Sequence, residues 1–348
     1  MPFLDLHAQP LSFLFLILVM AGAIVWYSGT RITRYVDTIA RRAHLGQAFA
    51  GMLLLGGVTS LPEVATAGTA AASGNALLTV NDLLGSASIN LVILAVGDFF
   101  YGKDALTSVA GRPVTLMQGA LGMILLAGVG FSIAITDTQI PLIGAGVTTL
   151  ILAAACVQAL RISQRFERTN IWQLVDQPVA KADGPARDLE WNNTRLAILT
   201  AAAAVAILVG GALLAMTGDA LAEKTGLGSS IIGFTLIGLC TSLPELSSVL
   251  AALRMRRYQL AIGDIFGTNL FNIQILFVGD LFYREGALLN AAGEFEIAAT
   301  CLAVLLTGIF VIGLLERTNR RIGRIGADSA LVLVVYIGGL AALSRMSP

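Results

Sequence analysis

The chain has 348 residues, 22 basic and 22 acidic, with 56% hydrophobic and only 13% charged side chains. Ordinary soluble domains carry about 25% charged residues, so a wholly water-facing surface is excluded, and a net charge of zero leaves no electrostatic footprint for nucleic acid. Cys156, Cys240 and Cys301 stand far apart in apolar runs and read as small core residues, not as a disulfide or zinc framework.

A helix needs about 20 apolar residues to cross a bilayer. Runs of that kind are predicted at 11–30, 45–73, 76–101, 113–135 and 139–160, and again at 196–217, 228–253, 258–283, 294–315 and 327–344. The first is not expected to be a cleaved leader, because no Lys or Arg precedes it and the basic cluster follows it. A polar stretch at 161–195 separates a first half, 1–160, from a second, 196–348, and reads as a solvated linker. Of the 22 Lys and Arg residues, 19 fall after the odd-numbered runs, from Arg31, Arg34, Arg41 and Arg42 to Arg317, Arg320, Arg321 and Arg324. Cytoplasmic loops are enriched in these residues, so the linker is expected in the cytoplasm and both termini outside. The Arg-rich loops read as topology signals and as contacts to anionic headgroups.

Thr59-Ser60-Leu61-Pro62-Glu63 recurs as Thr241-Ser242-Leu243-Pro244-Glu245, and the offset of 182 also relates Asp82 to Asp264, Gly85 to Gly267, Asn90 to Asn272, Asp98 to Asp280 and Tyr101 to Tyr283. This is a duplication. An offset that advances the chain by five spans turns the second copy upside down, and in transporters built this way the substrate site lies where the copies meet near the midplane.

The duplicated word carries chemistry. Proline removes a backbone donor and presses on the carbonyl four residues back, so Pro62 and Pro244 should break their helices, which at membrane depth is tolerated only against protein or a wet cavity. Within one turn lie the hydroxyls of Thr59 and Ser60, the loosened carbonyls and the Glu63 carboxylate, with Thr241, Ser242 and Glu245 as their copies. All are hard oxygen donors, suited to sodium or calcium. An isolated carboxylate at that depth costs about 2.5 to 3.5 kcal/mol, and a cation would offset it. The next span adds a second oxygen stripe at four-residue spacing, Asp82, Ser86 and Asn90, copied as Asp264, Thr268 and Asn272. Asp82 and Asp264 read as acids beside the site or at its mouth. Asp98 and Asp280 read as loop anchors at span ends, and Glu294 and Glu296 as interfacial.

Taken together, these words in two five-span halves resemble the calcium/cation antiporter superfamily, and most closely its prokaryotic sodium/calcium exchanger branch. The likeness is concentrated in 56–98 and 238–280, which match that family's two alpha repeats. It implies an all-α integral membrane protein of ten transmembrane helices in two inverted repeats, with broken helices at the ion site. It further implies that Glu63 and Glu245 coordinate calcium, helped by the carbonyls of Thr59 and Thr241, that Ser60, Ser242, Ser86 and Thr268 complete sodium sites, and that Asn90 and Asn272 are ligands. The family's Gly-Ser-Asn-Ile-Phe-Asn is matched well by Gly267-Thr268-Asn269-Leu270-Phe271-Asn272, but Gly85-Ser86-Ala87-Ser88-Ile89-Asn90 has Ala87 in place of an amide. With Asn90 and Asn272 both neutral, the counter-ion stays open between sodium and proton.

The expected activity is secondary antiport of inorganic cations, sodium against calcium, in the cytoplasmic membrane of a bacterium or archaeon, with no cofactor and no nucleic-acid partner. The sequence leaves the oligomeric state undetermined. A proton/calcium exchanger is the alternative, and a cation-binding scaffold or sensor is the alternative of another class. Neither a nucleophile with its base nor a nucleotide loop is visible, so no enzyme is expected.

Overall fold

The computed structural model describes residues 6–101, 104–169, 191–225 and 233–346. In chain order the helices are α1 (Leu11–Arg42), α2 (Gln47–Thr59), α3 (Leu61–Ala72), α4 (Ala76–Tyr101), the short α5 (Leu106–Ala110), α6 (Pro113–Ala134), α7 (Val147–Thr169) and α8 (Asn193–Thr225). There follow α9, a π-helical turn Gly233–Ile237 continued by Gly238–Thr241, then α10 (Leu243–Arg254), α11 (Tyr258–Phe282) and α12 (Glu294–Glu316). A two-residue hairpin, β1 (Arg321–Ile322) with β2 (Ile325–Gly326), leads into α13 (Ala327–Leu343).

Among the described residues seven helices are long and apolar enough to cross a membrane, and α2 with α3, whose limbs meet at 45°, makes an eighth. Of the other two stretches expected to span, 327–344 is the shorter apolar helix α13, of 17 residues, and 228–253 falls on α9 and α10, which begin at the edge of the described residues. Three boundaries differ from the sequence expectation. Helix α1 runs on to Arg42, because no breaker follows Thr30 and Ile32, Tyr35, Val36 and Ala40 bury one face of the extension; Arg31, Arg34, Arg41 and Arg42 therefore sit on a helix, not in a loop. The run expected from 139 starts at Val147, since Gln139 bridges Gly146 across a turn containing Pro141 and Gly144, whose φ is +76°. Part of the expected linker is also helix, α7 continuing to Thr169 and α8 starting at Asn193; the remainder, 170–190, lies outside the described residues.

Burial orders the layers. In α4, 78% of the most apolar stretch is buried, and in α11 67%, against 22% in both α1 and α8. Helices α4 and α11 thus form the centre, while outer faces present Phe15, Val19, Ile124, Phe131, Val334 and Ile337 to the surroundings, as a lipid-facing wall requires.

The bent helices pack crosswise. Helix α2 lies on α11 of the other half, and the π turn of α9 lies on α4. Glycine permits the approach: a Cβ on Gly85 would stand 2.1 Å from the Phe234 carbonyl oxygen, and one on Gly267 2.3 Å from that of Met52. On the outside, α1 packs on α10 and α8 on α3, with Gly29 against Pro244 and Ser247, and Gly211 against Pro62.

Polar anchors fix the ends of the central helices. Asp98 accepts from the backbone N–H groups of Leu106 and Gly326, and Asp280 from those of Leu288 and Gly146, all at 2.7 Å; the Thr149 hydroxyl also donates to Asp280. Both act as loop anchors, as expected from their positions. Two other groups are more deeply embedded than the sequence suggested. Arg257 is 4% exposed and pairs with Asp37 at 3.0 Å, so it is no headgroup contact. Glu296 is 3% exposed and accepts from the amide of buried Asn81 at 2.8 Å, while its other oxygen accepts from the Gly293 N–H.

Candidate cation site

Both breaks fall at the serine of the duplicated word. Ser60 has φ −77° and ψ 2°, and Ser242 has φ −85° and ψ 7°, so each leaves the helical region for one residue. Beyond it, proline sits in the first turn of the new helix, where its missing N–H costs nothing, and removes the donor that the carbonyl of Val58 or Cys240 would otherwise meet. Each break follows a π-helical turn, Gly51–Leu55 or Gly233–Ile237, which the sequence reading did not anticipate; the duplicated glycines at 51 and 233 were its only mark. Glu63 and Glu245 then lie in the first turns of α3 and α10, where the helix dipole favours negative charge.

Every residue singled out from the sequence for this site is buried: Glu63, Glu245, Asp82, Asp264, Thr59, Thr241, Ser86, Thr268 and Asn90 at 0%, Ser60 and Ser242 at 1%, and Asn272 at 2%. The hydroxyls link the two halves. Ser86 Oγ donates to Glu63 Oε1 at 3.1 Å and accepts from Ser242 Oγ at 3.0 Å. Thr268 Oγ1 donates to Glu245 Oε1 at 3.4 Å, and Thr59 Oγ1 lies 3.3 Å from both Thr268 Oγ1 and Asp264 Oδ1. Thr241 Oγ1 donates to Asp82 Oδ1 at 3.1 Å. Ser60 instead turns to its own helix, donating to the Gly56 carbonyl at 2.6 Å. Asp82 and Asp264 are not at a wet mouth. They are enclosed beside the threonines, Asp264 also accepting from Ser248, because the other half's broken helix covers that turn of α4 and α11.

The donor balance is lopsided. Glu63 Oε2, Glu245 Oε2, Asp82 Oδ2, Asn90 Oδ1 and Asn272 Oδ1 are buried oxygens with no hydrogen-bond donor among the described residues. Buried polar atoms are nearly always satisfied, and all five are acceptors. The acids of this set, Glu63, Glu245, Asp82 and Asp264, are all fully enclosed. Such a set suits a cation. Among the described residues no group of three or more His, Cys, Asp or Glu gathers as a metal centre, so hydroxyls, amides and carbonyls would make up the remainder of any coordination shell around the glutamates.

The amides are oriented by asymmetric means. Asn90 Nδ2 donates to Asn269 Oδ1 at 2.9 Å, and Asn269 Nδ2 donates to the Ala87 carbonyl at 3.2 Å. Asn272 has only Ala87 where an amide partner would stand, and its Nδ2 donates to the Leu83 carbonyl at 3.3 Å. The sequence reading noted Ala87 but gave Asn269 no role. Replacing Asn90 and Asn269 by alanine singly and together is expected to give non-additive losses of calcium affinity, with a coupling of about 1 kcal/mol, measured by isothermal titration in detergent. Strict additivity would separate Asn269 from the site.

The sequence pattern of the family described as "Sodium/calcium exchanger protein" matches residues 13–160 and 195–344. The chain belongs to that family. Among similar proteins, CaxA of Alkalimonas amylolytica, whose name describes an antiporter, is 26% identical over 337 residues, 92% of this chain and 96% of its own. The inner membrane protein YrbG of Escherichia coli is 28% identical over 75% of this chain and 77% of its own. The sodium/calcium exchanger MaX1 of Methanosarcina acetivorans is 37% identical over 79 residues, 22% of this chain and 23% of its own. A structure of the sodium-calcium exchanger NCX_Mj soaked without sodium or calcium superposes with a TM-score of 0.67 at 19% identity, covering 95% of this chain and 99% of that one, and so shares the fold. Membership in the sodium/calcium exchanger family makes this an integral membrane protein that exchanges cations and not a catalyst of covalent chemistry.

Proposed function

We propose that the protein exchanges sodium for calcium across the cytoplasmic membrane of its cell, by alternating access around Glu63 and Glu245. The observation that carries this reading is the set of five buried, donorless oxygens, two of them from the duplicated glutamates, carried by the broken helices α3 and α10 and by the helices α4 and α11 packed against them. In this reading ten spans form two inverted repeats with both termini outside. Glu63, Glu245 and the carbonyls of Thr59 and Thr241 hold calcium, Asn90 and Asn272 lend amide oxygens, and Ser60, Ser242, Ser86 and Thr268 serve sodium.

The physics of the empty site supplies the exchange rule. Two carboxylates without a counter-ion repel strongly at low dielectric, so the unloaded carrier rarely crosses between its two faces. Calcium, or several sodium ions, relieves the repulsion and permits the passage. Asp82 and Asp264 favour a second reading, proton/calcium exchange, because two further buried carboxyls stand within reach of the threonines and could carry protons. Calcium uptake into proteoliposomes distinguishes the two: an outward sodium gradient at uniform pH is expected to drive it, and an outward proton gradient in sodium-free buffer is not. Flux driven by protons alone would transfer the assignment to the second reading, and flux under neither gradient would end both.

A further inference from the structure

Helices α1 and α8 run antiparallel, with Val25 against Gly210 and Arg42 bonded to Asn193, yet they leave a groove of about 610 Å³ between them. One wall is Met20, Ile24, Tyr27 and Arg31, spaced at three and four residues along one face of α1, and the facing surface of α8 offers Ala203 and Ala206. Small side chains on α8 opposite long ones on α1 create the furrow. Met20, Ile24 and Tyr27 are 59%, 46% and 62% exposed, so the groove opens to the lipid side.

Arg31 is the anomaly in this lining. Its guanidinium lies over the Tyr27 ring at 5.1 Å and has no acidic partner among the described residues. The one acid of α1, Asp37, is committed to Arg41 and Arg257, and the acids of α8, Asp219 and Glu223, stand near its opposite end. Arg34, one turn on and exposed, adds a second positive charge. A cation on the rim of an apolar, lipid-facing groove is placed to meet an anion. The dimensions identify its source: from Met20 to Arg31 a helix rises about 16 Å, close to the depth of one leaflet's hydrocarbon, about 15 Å.

We propose that the groove binds one acidic glycerophospholipid, an acyl chain lying along Met20, Ile24 and Ala203 and the phosphate resting on Arg31. Guanidinium matches phosphate oxygens in a two-point geometry, and the Tyr27 ring lies beneath the guanidinium. The bound lipid touches Ser28, which lines the groove, and the adjacent Gly29 is the residue against which Pro244 and Ser247 pack. A lipid thus sits one residue from the support of the second broken helix.

Native mass spectrometry of the purified full chain, equilibrated with phosphatidylglycerol or phosphatidylcholine, tests this. The wild type is expected to retain one phosphatidylglycerol in preference to phosphatidylcholine. Arg31→Gln should lower that retention about fivefold, and Ala203→Leu, which fills the furrow, should lower it at least as much, while Arg161→Gln on exposed α7 should leave it unchanged. Retention at the wild-type level in both groove variants, or equal retention of the two lipids, would overturn the assignment. Since bound lipid is read without any ion gradient, either result is independent of the exchange reading.

Discussion

Glu63→Gln and Glu245→Gln are each expected to reduce calcium uptake by proteoliposomes to the level of protein-free vesicles. The substitution keeps the shape and an oxygen that Ser86 or Thr268 can still meet, but removes one of two charges facing a dication. Losing one partner of a buried charge interaction costs about 3 to 5 kcal/mol, a factor of roughly 10² to 4 × 10³ in affinity. A second readout separates this from misfolding. Without calcium the variants should melt higher than the wild type, because the repulsion between the glutamates is gone, and added calcium should no longer raise the melting temperature as it does for a ligand bound only by the folded state. A Glu63→Gln protein with both saturable uptake and a calcium-induced shift would remove Glu63 from the ion site.

Gly85→Ala and Gly267→Ala are expected to cause the largest losses of stability. The new methyl would stand 2.1 Å from the Phe234 carbonyl oxygen or 2.3 Å from that of Met52, and both carbonyls belong to π-helical turns that cannot swing aside. Overpacking of this kind costs about 3 kcal/mol, the upper part of its usual range. Gly122→Ala, in α6 with nothing within 4 Å of the added atom, is the control and should be neutral or stabilising by about 1 kcal/mol. Thermal denaturation in detergent reads the difference. Equal melting temperatures for Gly85→Ala and Gly122→Ala would mean that the crossed helices have room to spare.

What the sequence revealed of this site depended on redundancy. One Thr-Ser-Leu-Pro-Glu in an apolar run is a kink; two in register, with Ser86 and Asn90 answered by Thr268 and Asn272, define a pair of facing surfaces. The buried oxygens follow that register closely. The features that were not legible are those the duplication does not repeat or the local pattern does not encode. Asn269 has no amide counterpart at Ala87, so symmetry gave it no weight. Glu296 and Arg257 lie beside helix starts, where charge is usually wet, and only tertiary packing against Asn81 and Asp37 encloses them. The π turns carry no proline, and a run such as Gly51–Leu55 shows the same residues whether its turn is wound to four residues or five. Helix ends were misplaced where hydropathy fell but helicity did not, as from Arg31 to Arg42, because apolarity reports on the bilayer and the helix continues beyond it.

The reciprocal lodging of Pro62 against Gly211 and of Pro244 against Gly29 constrains how such a chain can drift. Neither kinked segment finds its complete seat within its own copy, so a change of size in one is felt by a glycine on the other side of the molecule. The two copies therefore cannot diverge independently at these points. They remain free to do so at positions such as Ala87, which has no amide and where Asn272 meets the Leu83 carbonyl of the same helix instead.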